Sequence, residues 1–239
     1  MNPSVPIGRS GSASRHAVAC RAVARRAVAR RAVILAAPPA VVLSMLAVFR
    51  ILRDRYDAVT AYNRGFAVYW TGWCLAFPLA VLGPRRILRL LTTGRVPARA
   101  DQFALIVPVA GAAATQLWPY RREVDPAVAV VMVGSAVVNA VGEEVLWRGV
   151  FLEELPDDAL RGAVWPLMGF ALWHLAPQLI LSSRLGRLRF VLGSAVVGAA
   201  ATVTARRGEG LRWAVASHLL TDACGVTAAR FRLGREASR

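Results

Sequence analysis

Not one lysine occurs in this chain: all 30 basic residues are arginine, set against 14 acids and only three histidines. No chemistry requires lysine to be absent everywhere, so the bias reads as GC-rich coding in a prokaryotic host. Cysteine is almost as scarce. Cys20, Cys74 and Cys224 stand alone, without disulfide or metal spacing, which excludes a disulfide scaffold and a cysteine-ligated metal centre. There is no His-Glu-x-x-His helix, no Gly-x-Ser-x-Gly elbow, no Gly-rich phosphate loop and no Cys-x-x-Cys pair. The commonest zinc protease, serine hydrolase, nucleotide-binding and redox signatures are therefore missing. Alternation of apolar and polar residues over ten-residue strands is also absent, which argues against a transmembrane barrel.

What the chain has in abundance is apolar sequence, 56% of residues with a mean hydropathy of +0.46. Seven windows are candidates for crossing a bilayer: 32–49, 66–82, 103–118, 127–142, 163–181, 190–205 and 211–229. A spanning segment must satisfy its own backbone hydrogen bonds, so these windows predict an all-α polytopic transmembrane bundle of about seven to eight spans. The net charge of +16 suits a nucleic-acid binder, but the arginines lie between the apolar windows, as in Arg50/Arg53/Arg55, Arg85/Arg86/Arg89, Arg184/Arg187/Arg189 and Arg206/Arg207. Anionic lipid headgroups, not nucleic acid, are their expected partner. Residues 1–31 read as a basic, disordered tail holding the N-terminus in the cytoplasm. Residues 32–126 read as N-terminal spans, 127–229 as a catalytic core and 230–239 as a basic C-terminal tail.

Three patterns interrupt this apolar background: Glu143-Glu144-x-x-x-Arg148, Phe170-x-x-x-His174 and His218-x-x-x-Asp222. An Asp or Arg at the bilayer centre costs about 2.5–3.5 kcal/mol, so such groups persist where they pair and line a wet cavity. Glu144 and Arg148, one helical turn apart, are expected to neutralise each other, leaving Glu143, turned about 100° away, as the working carboxylate. Gly142 ends the apolar window, so a charge cluster at the membrane edge is the competing reading. Phe170 shares the face of His174 and is placed to fix its ring. Asp222 is placed to orient His218. A carboxylate and two imidazoles suit activation of water for attack on a carbonyl, either without metal or around a zinc ion held by Glu143, His174 and His218.

The three motifs, in this order and spacing, resemble the signature of the CPBP intramembrane proteases. This is the family of CAAX proteases and bacteriocin-processing enzymes, also called the abortive-infection family, and it includes the type II CAAX prenyl endopeptidases. The resemblance covers about residues 127–229. It implies a conserved four-helix core in the cell membrane with a cavity open to the cytoplasm. It further implies Glu143 as the water-activating residue assisted by His174, oxyanion stabilisation by His218 and residue 222, and support from Glu144, Arg148 and Phe170. The CAAX endopeptidases carry Asn where this chain has Asp222, and an ionised Asp accepts hydrogen bonds without donating any. The expected function is an intramembrane endopeptidase acting on a peptide or membrane-protein substrate. A catalytically silent scaffold or immunity-type protein is the alternative, and a proton-coupled transporter is disfavoured by the lack of repeated halves.

Overall fold

The computed structural model describes residues 10–123, 126–183 and 186–225. Eight helices and no strand occur among the described residues. They are α1 (Ser10–Arg55), α2 (Ala58–Leu82), α3 (Pro84–Thr92), α4 (residues 99–123), α5 (residues 126–154), α6 (residues 160–173), α7 (Arg187–Gly208) and α8 (Arg212–Gly225). Contacts divide the chain into two compact units, Met1–Ala36 and Ala37–Arg239, and every side chain discussed below belongs to the second.

Each of the seven apolar windows falls on a helix, and four helical stretches are long and apolar enough to cross a membrane: Arg25–Arg55, Ala58–Leu82, Ala129–Glu154 and Arg187–Gly208. Their outward faces carry exposed Leu43, Leu75, Val130, Val131 and Val196, as a lipid-facing surface requires. The window 163–181 differs from expectation. α6 stops at Trp173, His174 caps it, and the chain turns through a 3-10 segment at Pro177–Leu179. Pro177 lacks the N–H that a continuing helix would use, so the helical part of this window, residues 163–173, is about 17 Å long, against a hydrocarbon core of about 30 Å. His174 is thus at a helix end and not in mid-span.

Two further differences have simple causes. α1 is already helical at Ser10, where a disordered tail is expected over 1–31, because Ala and Arg are among the strongest helix formers whether or not they segregate to faces. Residues 1–9, Arg184, the end of the last window and the 230–239 tail lie outside the described residues. α5 does not end at Gly142 but runs on to Glu154, so Glu143 and Glu144 sit inside the helix and not at a membrane edge.

α8 packs against α3, α4, α5 and α7, while α5 also meets α2. The α2–α5 approach is close: a Cβ on Gly142 would lie 2.8 Å from the Cβ of Cys74. Beside it lies an aromatic core of Phe49, Tyr62, Tyr69, Trp147, Phe170 and Trp173. Both α2 and α5 contain a π-helical turn, at Tyr69–Ala76 and Val145–Gly149. At one end of the bundle a charged rim joins the helix ends. It pairs Arg86 with Glu154, Arg89 with Glu153, Arg95 with Glu209 and Arg207 with Asp101.

The α7–α8 turn in that rim holds Glu209 at φ 55°, a left-handed conformation, followed by Gly210, where an added Cβ would strike the backbone carbonyl of Thr93. Two neighbouring substitutions should therefore diverge. Glu209→Gly relieves a left-handed residue and loses an exposed ion pair of about 0–1 kcal/mol, so thermal unfolding in detergent should stay within about 1 kcal/mol of the parent. Gly210→Ala forces the Thr93 backbone aside and should cost about 2 kcal/mol or more; equal midpoints for the two variants would contradict this account.

Candidate active site

α5 and α8 bring the first and third motifs together. Glu144 is fully buried, and its Oε1 accepts from Arg148 Nη1 at 3.0 Å and from His218 Nδ1 at 2.7 Å. The Arg148 guanidinium lies 4.1 Å over the Phe170 ring, and its Nε donates to Thr202 Oγ1 on α7 at 3.4 Å. Gly198 on α7 provides the space, since a Cβ there would lie 2.8 Å from Arg148 Nη2 and 2.8 Å from the Phe170 ring. The expected Glu144–Arg148 pair is present, with an addition the sequence does not reveal: Glu144, not Asp222, holds His218 Nδ1. That leaves His218 Nε2 facing two other carboxylates, Glu143 Oε2 at 3.5 Å and Asp222 Oδ1 at 3.7 Å.

Glu143 is buried at 1% exposure, and its two oxygens are unequal. Oε1 accepts from Trp173 Nε1 at 2.7 Å and from Tyr69 Oη at 2.9 Å, while Trp147 Nε1 donates to that same Tyr69 oxygen at 2.8 Å. Tyr69 stacks on Trp173 with ring centroids 3.7 Å apart, so the two donors brace one another. Oε2 has only a 3.3 Å contact with Asn139 Nδ2 and the His218 nitrogen beyond it. Asn139 also donates to Asp222 Oδ2 at 2.9 Å and accepts from Trp70 Nε1 at 2.9 Å.

Glu143, His218 and Asp222 line a cavity of about 810 Å³, whose walls include Phe66, Trp70 and Phe190. His174 lines it too. Its Nδ1 donates to the Phe170 carbonyl at 2.7 Å, which in a neutral ring makes Nε2 the acceptor. Phe170 sits edge-on to both imidazoles, at 4.8 Å from His174 and 5.9 Å from His218, so the second motif joins the other two through this ring.

The zinc reading of Glu143, His174 and His218 does not fit. Among the described residues no group of three or more His, Cys, Asp or Glu side chains has the geometry to hold an ion, and one Glu143 oxygen already takes two strong donors.

Tyr69, Trp70, Asn139, Trp147 and Trp173 belong to the site without having been singled out from sequence. Asn139 carried the one usable signal, an amide in an apolar window one turn before Glu143. Its neighbours Tyr69 and Trp70 lie outside residues 127–229 altogether.

This arrangement sets two carboxylates, Glu143 and Asp222, and two imidazoles, His174 and His218, on the wall of one cavity inside an apolar helical bundle. Residues 125–224 match the family described as Rce1-like, type II CAAX prenyl endopeptidase Rce1-like, the family the three motifs resemble. No curated protein and no solved structure matches the chain. The matched segment carries all three motifs, and this similarity together with the apolar helices marks a membrane protein.

Because Glu144 serves Arg148 and His218 at once, exchanging its charge with Arg148 should not restore what either single change removes. Glu144→Gln and Arg148→Gln should each lower detergent stability by about 3–5 kcal/mol, the cost of leaving a buried charge uncompensated. The Glu144→Arg/Arg148→Glu double variant should stay destabilised, because it sets a guanidinium against His218. Recovery to within about 1 kcal/mol in thermal unfolding would show that His218 does not depend on Glu144.

Proposed function

We propose that this protein is an intramembrane endopeptidase in which Glu143 Oε2 activates water for hydrolysis of a peptide bond. The observation that carries the reading is the inequality of the Glu143 oxygens: Oε1 is engaged by Tyr69 and Trp173, and Oε2 faces the cavity beside His218. A water held by Oε2 gives up a proton to it, and its oxygen bonds to the scissile carbonyl carbon. The carbonyl electron pair moves onto oxygen. Protonated on both nitrogens, His218 is matched by Glu144 on one side and by Glu143 and Asp222 on the other, and its Nε2–H donates to that oxyanion. The C–N bond then breaks, and the proton on Glu143 passes to the leaving amine. His174, with Nε2 as acceptor, assists in holding the water. Asp222, an acceptor that Asn139 already engages, pairs with His218 in place of donating to the oxyanion. Residues 127–229 form the core of the machinery, with Tyr69 contributed by α2. The exposed arginines of the rim face anionic headgroups, and the substrate is a peptide or membrane protein whose apolar part lies along the aromatic cavity wall.

Glu143→Gln retains shape and hydrogen-bond acceptance and loses the base, so it should express and fold like the parent and lose cleavage by at least 10²-fold. Terminal labelling of membrane and secreted peptides from cells carrying either form reads this directly. Identical peptide termini from the two would sink the protease reading. Asp222→Asn should leave cleavage within about tenfold of the parent, because its carbonyl still accepts from Asn139 and the Glu144 and Glu143 carboxylates still match the charge on His218.

A further inference from the structure

We propose that Asn139 is a positioning residue that lets Glu143 and Asp222 stand as two carboxylates on one cavity wall. This deepens the protease reading and rests on it for its catalytic meaning. The orientation of the amide is forced by its neighbours. Trp70 Nε1 can only donate, so the group facing it at 2.9 Å is Asn139 Oδ1. That turns Nδ2 toward Asp222 Oδ2 at 2.9 Å and Glu143 Oε2 at 3.3 Å, both of which accept. One neutral NH2 group thus offers a hydrogen to each carboxylate, and His218 Nε2 lies between their remaining edges at 3.5 and 3.7 Å. Without the amide, two carboxylates would face each other with only one nitrogen between them.

The bridge also decides which oxygens do what. It engages Asp222 Oδ2 and so turns Oδ1 toward His218. Its longer contact to Glu143 Oε2 leaves that oxygen the less engaged of the pair, the one a water can reach. Trp70 locks the whole assembly from α2, so a residue outside the matched segment sets the register of two inside it. An Asn at 139 is accordingly matched to an Asp at 222: the amide needs an acceptor there, and the acid needs a neutral donor.

Suppression of one substitution by another tests this without a substrate. Asn139→Leu should lower the thermal midpoint of the detergent-solubilised protein by about 4 °C or more. Adding Asp222→Asn or Glu143→Gln to it should restore at least half of that loss, because either removes one of the two opposed charges. In the parent background those same two substitutions should not raise the midpoint. A purely structural asparagine predicts additive losses instead, and additivity in both combinations would overturn the proposal. Should Asn139→Leu fail to accumulate, Asn139→Ser takes its place in the same comparison, and recovery of accumulation by Asp222→Asn counts as suppression. In the labelling assay Asn139→Ser should lose cleavage at least tenfold while its fold is retained, whereas parental cleavage would overturn the proposal. Absence of any parental cleavage would instead remove the protease reading and leave the suppression result to judge Asn139.

Discussion

The buried carboxylate of Glu144 is the constraint on which the site depends. A lone anion inside an apolar bundle is costly, and two partners on different elements, Arg148 one turn along α5 and His218 on α8, offset that cost through the same oxygen. The consequence is positional. With Nδ1 tied to Glu144, the imidazole of His218 has one ring nitrogen left, and α8 is held at the depth where that nitrogen meets Glu143 and Asp222. Gly198 belongs to the same arrangement from α7, since the guanidinium fills the place its side chain would take.

A second level of organisation lies in the aromatic core. In a soluble protein Tyr69, Trp147 and Trp173 would read as packing; here each also supplies a hydrogen-bond donor, and they converge on Glu143 Oε1, Tyr69 and Trp173 directly and Trp147 through Tyr69. Apolar bulk and polar satisfaction are met by the same residues, which is an economical solution where water is scarce. It also links α2 and α6 to the carboxylate.

The helices and the motif-bearing residues were legible because their signals are local: apolar windows longer than a soluble helix needs, and charged residues inside them at one-turn spacing. The rest was not local. A Trp or Tyr in an apolar window looks the same whether it anchors at a lipid interface or donates to a buried acid, so Tyr69, Trp70 and Trp173 carried no distinguishing mark. Glu144 was read as the partner of Arg148 alone, because spacing along one helix reveals its own pairs and is silent about a histidine 74 residues away. The break after Trp173 was signalled by Pro177, but hydropathy ran through it and outweighed the proline.

The π-helical turn at Val145–Gly149 separates two halves of α5 that answer to different partners. Before it stand Asn139, Glu143 and Glu144; after it, Glu153 and Glu154 reach the arginines of α3. Such a turn holds one residue more than an α-helical one, so losing a residue here would leave a continuous, fully hydrogen-bonded helix. Because the extra residue is taken up inside the turn, the helix beyond it would keep its phase, while the spacing of Glu144 and Arg148 would shrink from four residues to three. Single-residue deletions in this short segment are therefore a class of change whose effect stays local, falling on the Glu144–Arg148 pair and sparing the contacts of Glu153 and Glu154 with the arginines of α3.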